Sequence, residues 1–184
     1  MIAEPVKRAA TMTLEEFLNR PDTNQPMEYE DGEVITLPMP TPKHQRILRR
    51  LTRMIEDRIA NGEVFFAPLD VRLGSRVYQP DLLWVKAGGQ AAITDRIIEG
   101  APDLVIEIVS PTSGKRDRRD KFATYEQHGV GEYWIVEPDA ELIEIYVLAE
   151  GKFRRHGAFG TEDTFTSPSF GAEKPIEGKL IFAE

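Results

Sequence analysis

The sequence predicts an α/β (α+β) fold in which a mixed β-sheet is flanked by helices. Three short segments are apolar at nearly every position, as in strands that are covered on both faces: residues 82–85, 104–109 and 133–136. A long amphipathic helix is predicted before these strands, and a shorter helix directly follows the middle one. Strands and helices in this order favour a layered domain around a substantial core.

The composition is that of an ordinary globular protein of 184 residues. We expect a loose N-terminal arm over residues 1–12 and a single domain over residues 13–184. The longest apolar runs are far below the roughly 20 residues that a membrane span needs. Residues 1–12 also lack the apolar segment of a signal peptide. A cytoplasmic protein without membrane contact is therefore expected.

Charge and ligand-type residues limit the chemistry. A net charge of -8 argues against a surface that is basic all over, but it leaves room for a local basic patch. The chain has no Cys, which excludes disulfides and thiolate metal sites, and its three His disfavour zinc. If a metal is bound, oxygen ligands point to Mg²⁺ or Mn²⁺.

The first third of the chain predicts a short helix, a hairpin and a long helix. Thr13 and Glu16 have the spacing of a capping box at the start of the short helix. Asp31-Gly32 is a strong turn signal between two strands within residues 27–35. Apolar residues at three- and four-residue spacing then predict a helix over residues 43–60.

The rest of the chain predicts mainly strands. One helix interrupts them over residues 114–128, with Thr112 or Ser113 as its cap and Gly129 as its stop. A loop with a short helical turn near Asp95 is expected over residues 86–101. The predicted strands are residues 63–73, 77–85, 104–109, 131–136, 141–148, 152–159 and 179–182.

Two carboxylates occupy costly positions in the apolar strands. Glu107 lies in the middle of 104–109, and Asp81 stands at the start of 82–85. An unpaired buried charge is strongly unfavourable, so each acid needs a partner. If the two strands are neighbours, both acids can converge on one divalent cation. The alternative is that each acid pairs separately with an Arg or a Lys.

The helix that follows Glu107 offers a cation to this pair. Asp117, Lys121 and Tyr125 recur at every fourth residue and share one face of the helix. Lys121 can project toward the carboxylates, where a lysine beside a metal orients water and stabilises charge on a phosphoryl group. On spacing alone, the alternative is an exposed Lys121 paired with Asp117.

Three further features are candidates for the same site. Residues 115–121 carry five basic and two acidic side chains, so they form either a phosphate-contacting patch or a solvated helix face. Glu33, in a strand that leads toward the long helix, is a candidate metal ligand. His44, in the first turn of that helix, is either a phosphate donor or a surface residue. The candidates for contact with a nucleic-acid backbone are Lys115, Arg116, Arg118 and Arg119.

These residues together resemble a known family. Pro80-Asp81 followed by Glu107-Ile108-Val109 is similar to the signature of the PD-(D/E)XK nucleases, the restriction-endonuclease-like superfamily. The finer pattern resembles the Uma-type putative restriction endonucleases over about residues 13–160. The segments that carry this resemblance are 29–33, His44, 80–85, 102–111, Asp117 with Lys121 and Tyr125, and 129–136.

The resemblance implies a restriction-endonuclease-like fold and Mg²⁺-dependent hydrolysis of DNA phosphodiester bonds. Asp81, Glu107 and the carbonyl of Ile108 would hold the metal, and Glu33 would be an outer or second-metal ligand. The superfamily pattern places a lysine two residues after the acid, but this chain has Val109 there. Lys121 on the following helix is the matching position and would position the attacking water. The remaining implied features are a homodimer and supporting roles for His44, Tyr125 and Asp117.

Two other functions fit the same residues. A catalytically inactive, nuclease-derived nucleic-acid-binding or regulatory module agrees with the acidic net charge and with Val109 in place of the lysine. A structural dimerisation domain would have Asp81 and Glu107 ion-paired with Arg side chains. A metal titration separates the endonuclease from the module, because the module would fold normally and bind neither Mg²⁺ nor Mn²⁺.

Overall fold

A computed structural model describes residues 7–21, 23–110, 114–171 and 173–183. The helix caps predicted at Thr112 and Ser113 lie outside these residues, as does the first half of the predicted N-terminal arm. Residues 7–11 of that arm form a paired strand, so they belong to a sheet rather than to a loose segment.

A six-stranded mixed sheet, here called the central sheet, confirms the predicted fold class. β10 lies in the interior of this sheet, parallel to β11 on one side and antiparallel to β7 on the other. In spatial order the strands are β13 (Lys152–Phe159), β12 (Leu142–Ala149), β11 (Glu132–Glu137), β10 (Leu104–Ile108), β7 (Leu82–Val85) and β4 (Glu63–Phe66).

A second sheet contains seven short strands and includes the predicted hairpin. Its first three members, β1, β3 and β2, are antiparallel neighbours. In spatial order the strands are β1 (Lys7–Thr11), β3 (Glu33–Thr36), β2 (Met27–Glu30), β6 (Arg76–Tyr78), β5 (Val71–Leu73), β9 (Ile98–Glu99) and β8 (Ala92–Ile93). β8 and β9 replace the helical turn that was predicted near Asp95, and that prediction is wrong.

The chain crosses between the two sheets at places where the sequence predicted continuous strands. The strand predicted over 63–73 divides into β4 and β5, and the strand over 77–85 divides into β6 and β7. Pro68 and Pro80 lie at the two breaks. Proline has no N–H to donate to a sheet ladder, which explains why each strand ends there. The second crossing places Asp81 between the sheets.

The helices follow the predictions except at their ends. α1 (Leu14–Leu18) has the predicted capping box, in which Thr13 and Glu16 bond each other's backbone. α2 (Pro42–Glu56) ends four residues before residue 60, the predicted end of this helix. α3 (Gly114–Arg116), a π-helical segment (Asp117–Lys121) and α4 (Phe122–His128) run on from one another, and we call residues 114–128 the site helix.

The end of the described chain differs from the prediction. Residues 179–182 form the helix α5 (Lys179–Phe182), so the strand predicted there is wrong. Their side chains Ile181 and Phe182 join the core beside α2. Four residues are too few for periodicity to separate a strand from a helix. Two short strands, β14 (Thr164–Phe165) and β15 (Ile176–Glu177), pair with each other nearby.

The central sheet is covered on both faces, as its apolar strands predicted. Ile106 of β10 packs in one cluster with Leu51 and Ile55 of α2. Val105 of the same strand packs in a second cluster with Tyr125 of the site helix. Because successive strand residues point to opposite faces, Glu107 lies on the site-helix side. None of the helices formed by the described residues has the length and apolar composition that a membrane span requires.

Candidate active site

Neighbouring strands of the central sheet bring Asp81 and Glu107 together. β7 and β10 are antiparallel, with Leu82 opposite Ile106, so the residues just before and just after this pair lie side by side. The Ile108 N–H donates to Asp81 Oδ2 at 2.7 Å, which attaches the Asp81 side chain to β10. The predicted adjacency of the two acids is confirmed.

Glu107 is buried and accepts two hydrogen bonds from the site helix. Lys121 Nζ donates to Glu107 Oε1 at 2.7 Å, and the Tyr125 hydroxyl donates to the same oxygen at 2.6 Å. The prediction that Lys121 projects toward the acid pair is therefore confirmed, and the alternative of an exposed Lys121 is wrong. Lys121 lies at the end of the π-helical segment, a rare conformation that occurs frequently at functional sites.

A third buried carboxylate, Glu28 of β2, completes the surroundings of Lys121 and was not among the predicted site residues. Glu28 Oε1 lies 2.9 Å from Lys121 Nζ and accepts the backbone N–H of Gln79 at 2.9 Å. Arg116 bonds both Glu28 and Glu30 of the same strand. β2 is short and polar, so the sequence does not indicate that it is buried. From its position in the hairpin, however, Glu28 could have been proposed as a site residue as readily as Glu33.

The other predicted residues have different surroundings. His44 Nε2 lies 3.0 Å from Asp81 Oδ1, so His44 joins the site through Asp81. Asp117 is buried, with Oδ1 at 3.6 Å from Lys121 Nζ. Glu33 lies opposite Glu30 in the hairpin and is not part of the cavity lining. Asp103 accepts the Lys86 N–H at the other end of β7.

The basic run of the site helix is largely used by ion pairs. Arg116 is nearly buried between Glu28 and Glu30. Arg118 bonds Glu137 and Glu144, and Arg119 bonds Asp120. Lys115 is exposed. The phosphate contacts predicted for this run remain a prediction, and at Arg116 and Arg118 they would compete with the carboxylates from other elements that already hold these guanidinium groups.

An open cleft of about 1140 Å³ exposes the site. Its polar lining includes both metal-ligand candidates and the lysine, and its rim carries apolar residues from the chain before α2, such as Met39, which is 65% exposed. The residues of the site that line the cleft are His44, Asp81, Glu107, Ile108, Arg116, Asp117 and Lys121.

Comparison with known families and structures identifies the family and supports the fold. The family model described as Uma2, putative restriction endonuclease, matches residues 14–176. The chain belongs to this family. A crystal structure of a putative nuclease belonging to DUF820 from Anabaena variabilis is 25% identical, with a TM-score of 0.78. The similarity covers 94% of this chain and 98% of the Anabaena chain. No curated protein matches.

The electrostatics of this Uma2-family site are dominated by buried acids. Burial raises the pKa of Glu107 to about 8, because Asp117, Asp81 and Glu28 add to desolvation and together outweigh Lys121. Burial also acts on Glu28, but Lys121 and Arg116 outweigh it and lower the pKa of Glu28 to about 2. The Lys121 pKa is raised despite burial, because Glu107, Glu28 and Asp117 favour its charged form.

The donor atoms of the Uma2-family site fit a hard divalent cation. Asp81, Glu107 and the Ile108 carbonyl supply oxygen, the donor that Mg²⁺ and Mn²⁺ prefer. Burial, together with Asp117, Asp81 and Glu28, raises the pKa of Glu107, and a cation would favour its ionised form. Within the described residues, no three His, Asp or Glu side chains form a ready ligand cluster, so a backbone carbonyl or water is needed to complete the coordination.

Proposed function

We propose that the protein is a metal-dependent endonuclease that hydrolyses DNA phosphodiester bonds in the cleft. The observation that carries the proposal is Lys121 Nζ at 2.7 Å from Glu107, which lies beside Asp81 on an open cavity. Asp81, Glu107 and the Ile108 carbonyl would hold Mg²⁺ or Mn²⁺. When bound, the cation lowers the pKa of a water molecule and neutralises charge that develops on the phosphoryl group.

Lys121 would orient the attacking water. An ammonium group has three N–H donors, and the close contacts with Glu107 and Glu28 occupy two of them. The third can donate to a water molecule or to a phosphate oxygen in the cleft. Glu28 and Asp117 hold the charge of Lys121 in place, which keeps this donor preorganised.

Two neighbours would fix the carboxylates that hold the cation. Tyr125 donates to Glu107 Oε1, so the second oxygen of Glu107 is the one available to a ligand. His44 contacts Oδ1 of Asp81, while the Ile108 N–H fixes Oδ2. Ligand orientation by such outer hydrogen bonds is a general feature of metal sites.

The displaced lysine supports a functional site. Val109, which occupies the superfamily's lysine position, is buried in the core with Tyr125 and Tyr133. A lysine there would compete with this packing, whereas Lys121 reaches the same acid from the site helix. The charge is thus supplied from a different element, and the acid keeps its cationic neighbour.

Plasmid nicking with purified protein tests the proposal. We expect Mn²⁺-dependent nicking by the unchanged protein and a loss of roughly a hundredfold or more in Asp81→Asn, Glu107→Gln and Lys121→Met. Lys86→Met, an exposed lysine at the other end of β7, is the matched control and should retain full activity. Glu33→Gln should also remain active, because Glu33 lies outside the cleft lining.

Metal titration distinguishes the alternative of an inactive module. The endonuclease should bind Mn²⁺ and lose that binding in Glu107→Gln. A folded protein that binds neither Mn²⁺ nor Mg²⁺, and whose DNA binding is unaffected by Asp81→Asn, would instead be a nuclease-derived binding module. Parallel assays with RNA show which nucleic acid is cut. Light scattering tests for the homodimer that the resemblance to the superfamily implies, in which two copies would cut both strands.

A further inference from the structure

The outer face of α2 carries a row of exposed arginines. Arg46, Arg49 and Arg53 recur at intervals of three and four residues, so they share one face of the helix. The opposite face, with Leu48 and Leu51, is buried in the core. Among the described residues, none of the three arginines has a carboxylate within ion-pair distance.

Two other arginines of this region bond to backbone carbonyls of the described residues. Arg50 donates to the Ile181 carbonyl, and Arg58 donates to the Pro175 and Met54 carbonyls. These two side chains attach α2 to the last part of the chain. The exposed row makes no comparable contact with the described part of the chain, so its positive charge is directed at solvent in a protein of net charge -8.

A second cavity connects this row with the candidate active site. It has a volume of about 570 Å³, and Gln45 and Leu48 line both it and the cleft. Phe66 lines its other side and is 56% exposed, although it ends a strand of the central sheet. Phe66 pairs with Leu82 in the sheet, one residue from Asp81. Charge and an exposed aromatic ring therefore lie in one cavity, which shares two lining residues with the cleft of the acid pair.

We propose that this groove binds a single-stranded segment of the substrate nucleic acid as it leaves the cleft. Backbone phosphates would contact Arg46, Arg49 and Arg53, and an unpaired base would stack on Phe66. The row extends about 10 Å along the helix, at about 1.5 Å per residue. The row therefore presents three guanidinium groups to one strand along this length.

The chemistry of the groove favours a nucleic acid over other anionic partners. Guanidinium groups bind phosphate with two donors at once and also stack on planar rings. A base–aromatic contact needs an exposed ring face beside the charges, which Phe66 provides. Glu56 lies in the groove beyond Arg53 and would end the path of the strand by repelling phosphate. The inference rests on the proposed function, since it assigns the substrate path of the same site.

Binding of labelled oligonucleotides in a salt series tests the arginine row. In Arg49→Ala/Arg53→Ala, we expect affinity for a single strand to fall on the order of tenfold or more at low salt. The slope of log affinity against log salt should decrease by about 1.4, from about 0.7 per phosphate contact. The control Lys86→Ala/Arg154→Ala removes the same charge from exposed positions elsewhere and should change affinity less than twofold. Equal behaviour of the two double variants would overturn the proposal.

Phe66→Ala tests the stacked base. Affinity for the single strand should fall on the order of tenfold, whereas affinity for a blunt duplex of equal length should change less than twofold. Ile93→Ala, another exposed apolar residue, is the control. An unchanged single-strand affinity, or an equal loss on both substrates, would overturn the single-strand assignment.

The two proposals fail separately in these assays. Binding is measured without added metal, so it does not depend on cleavage. Loss of binding in the arginine variant, together with nicking that is insensitive to Glu107→Gln, would retain the groove and reject the assigned catalytic residues. Nicking that requires Glu107, together with an arginine variant that binds like its control, would retain the nuclease and reject the groove.

Discussion

α2 and the site helix have the same number of basic residues but use them in opposite ways. Each helix carries five Lys or Arg within fifteen residues, 42–56 and 114–128. In the site helix, Arg116, Arg118 and Lys121 bond carboxylates from other elements. In α2, the row formed by Arg46, Arg49 and Arg53 stays exposed. The available charge of a helix therefore depends on the acids that the fold places around it.

The source of these acids explains the difference. The site helix packs beside β2, β10, β11 and β12, which contribute Glu28, Glu107, Glu137 and Glu144. The outer face of α2 meets no such strand, and Glu56 is the acid that its own sequence supplies. One helix consequently organises a buried site, and the other offers a surface to a polyanion.

Arg116→Met should have the largest effect on stability and thereby tests the buried half of this comparison. Its removal leaves Glu28 buried without one of its two cations, and breaking a buried pair costs roughly 3–5 kcal/mol. Arg49→Met, on the exposed row of α2, should change the free energy of unfolding by about 0.5 kcal/mol or less. Urea unfolding of both variants measures the difference.

A second substitution shows whether the loss of stability comes from the uncompensated charge of Glu28. Adding Glu28→Gln to Arg116→Met should recover part of the stability, because it removes the uncompensated charge. If Arg116→Met and Arg49→Met unfold at the same urea concentration, the buried network contributes no more than a surface charge, and the contrast between the helices fails.

The sequence predicted the acids of the site better than their neighbours. Asp81 and Glu107 could be recognised because a charge in an apolar strand is costly, and this pattern is visible in a single sequence. Lys121 was correctly placed because the site helix follows Glu107 after a short connection. Glu28 gave no such signal, because its burial depends on β2 pairing with β6, a contact between segments far apart in the chain.

The breaks between the sheets were difficult to predict for a similar reason. The residues around Pro68 and Pro80 are as compatible with edge strands as with a crossing. Long-range pairings, such as β5 with β9 and β7 with β10, assign the two halves of each predicted strand to different sheets. The count of basic residues in the site helix could not reveal their ion pairs either, because the partners of Arg118 come from β11 and β12.

The pH dependence of stability should come from the buried cluster that contains Glu107. The pKa of Glu107 is raised in the folded protein from 4.5 to about 8. The folded state therefore binds a proton that the unfolded chain has lost. Stability from this group is complete below about pH 4.5 and declines until about pH 8, by an amount on the order of a few kcal/mol.

Unfolding free energies between about pH 5 and 8 measure this decline. Glu107→Gln should flatten the curve, whereas Arg49→Ala/Arg53→Ala should retain it. Mn²⁺ should stabilise the unchanged protein more at pH 8 than at pH 6, since binding requires the ionised carboxylate and displaces its proton. A flat curve in the unchanged protein would show that Lys121 already keeps Glu107 ionised, so that the site holds its charge without a metal.

Glu56→Gln should have the smallest effect, and it probes the exposed half of the comparison by adding positive potential to the groove. Glu56 lies one turn beyond Arg53 and shares the cavity with the arginine row. Removing its charge should strengthen binding of a single-stranded oligonucleotide by about two- to fivefold at low salt, an effect on the order of 1 kcal/mol or less. The gain should vanish at about 1 M salt, where screening acts over about 3 Å.

Asp57→Asn is the control, because it changes the adjacent acid, which points about 100° away around the helix and lies outside the groove lining. If both substitutions strengthen binding equally, net charge alone governs the interaction and α2 provides no defined path for the strand.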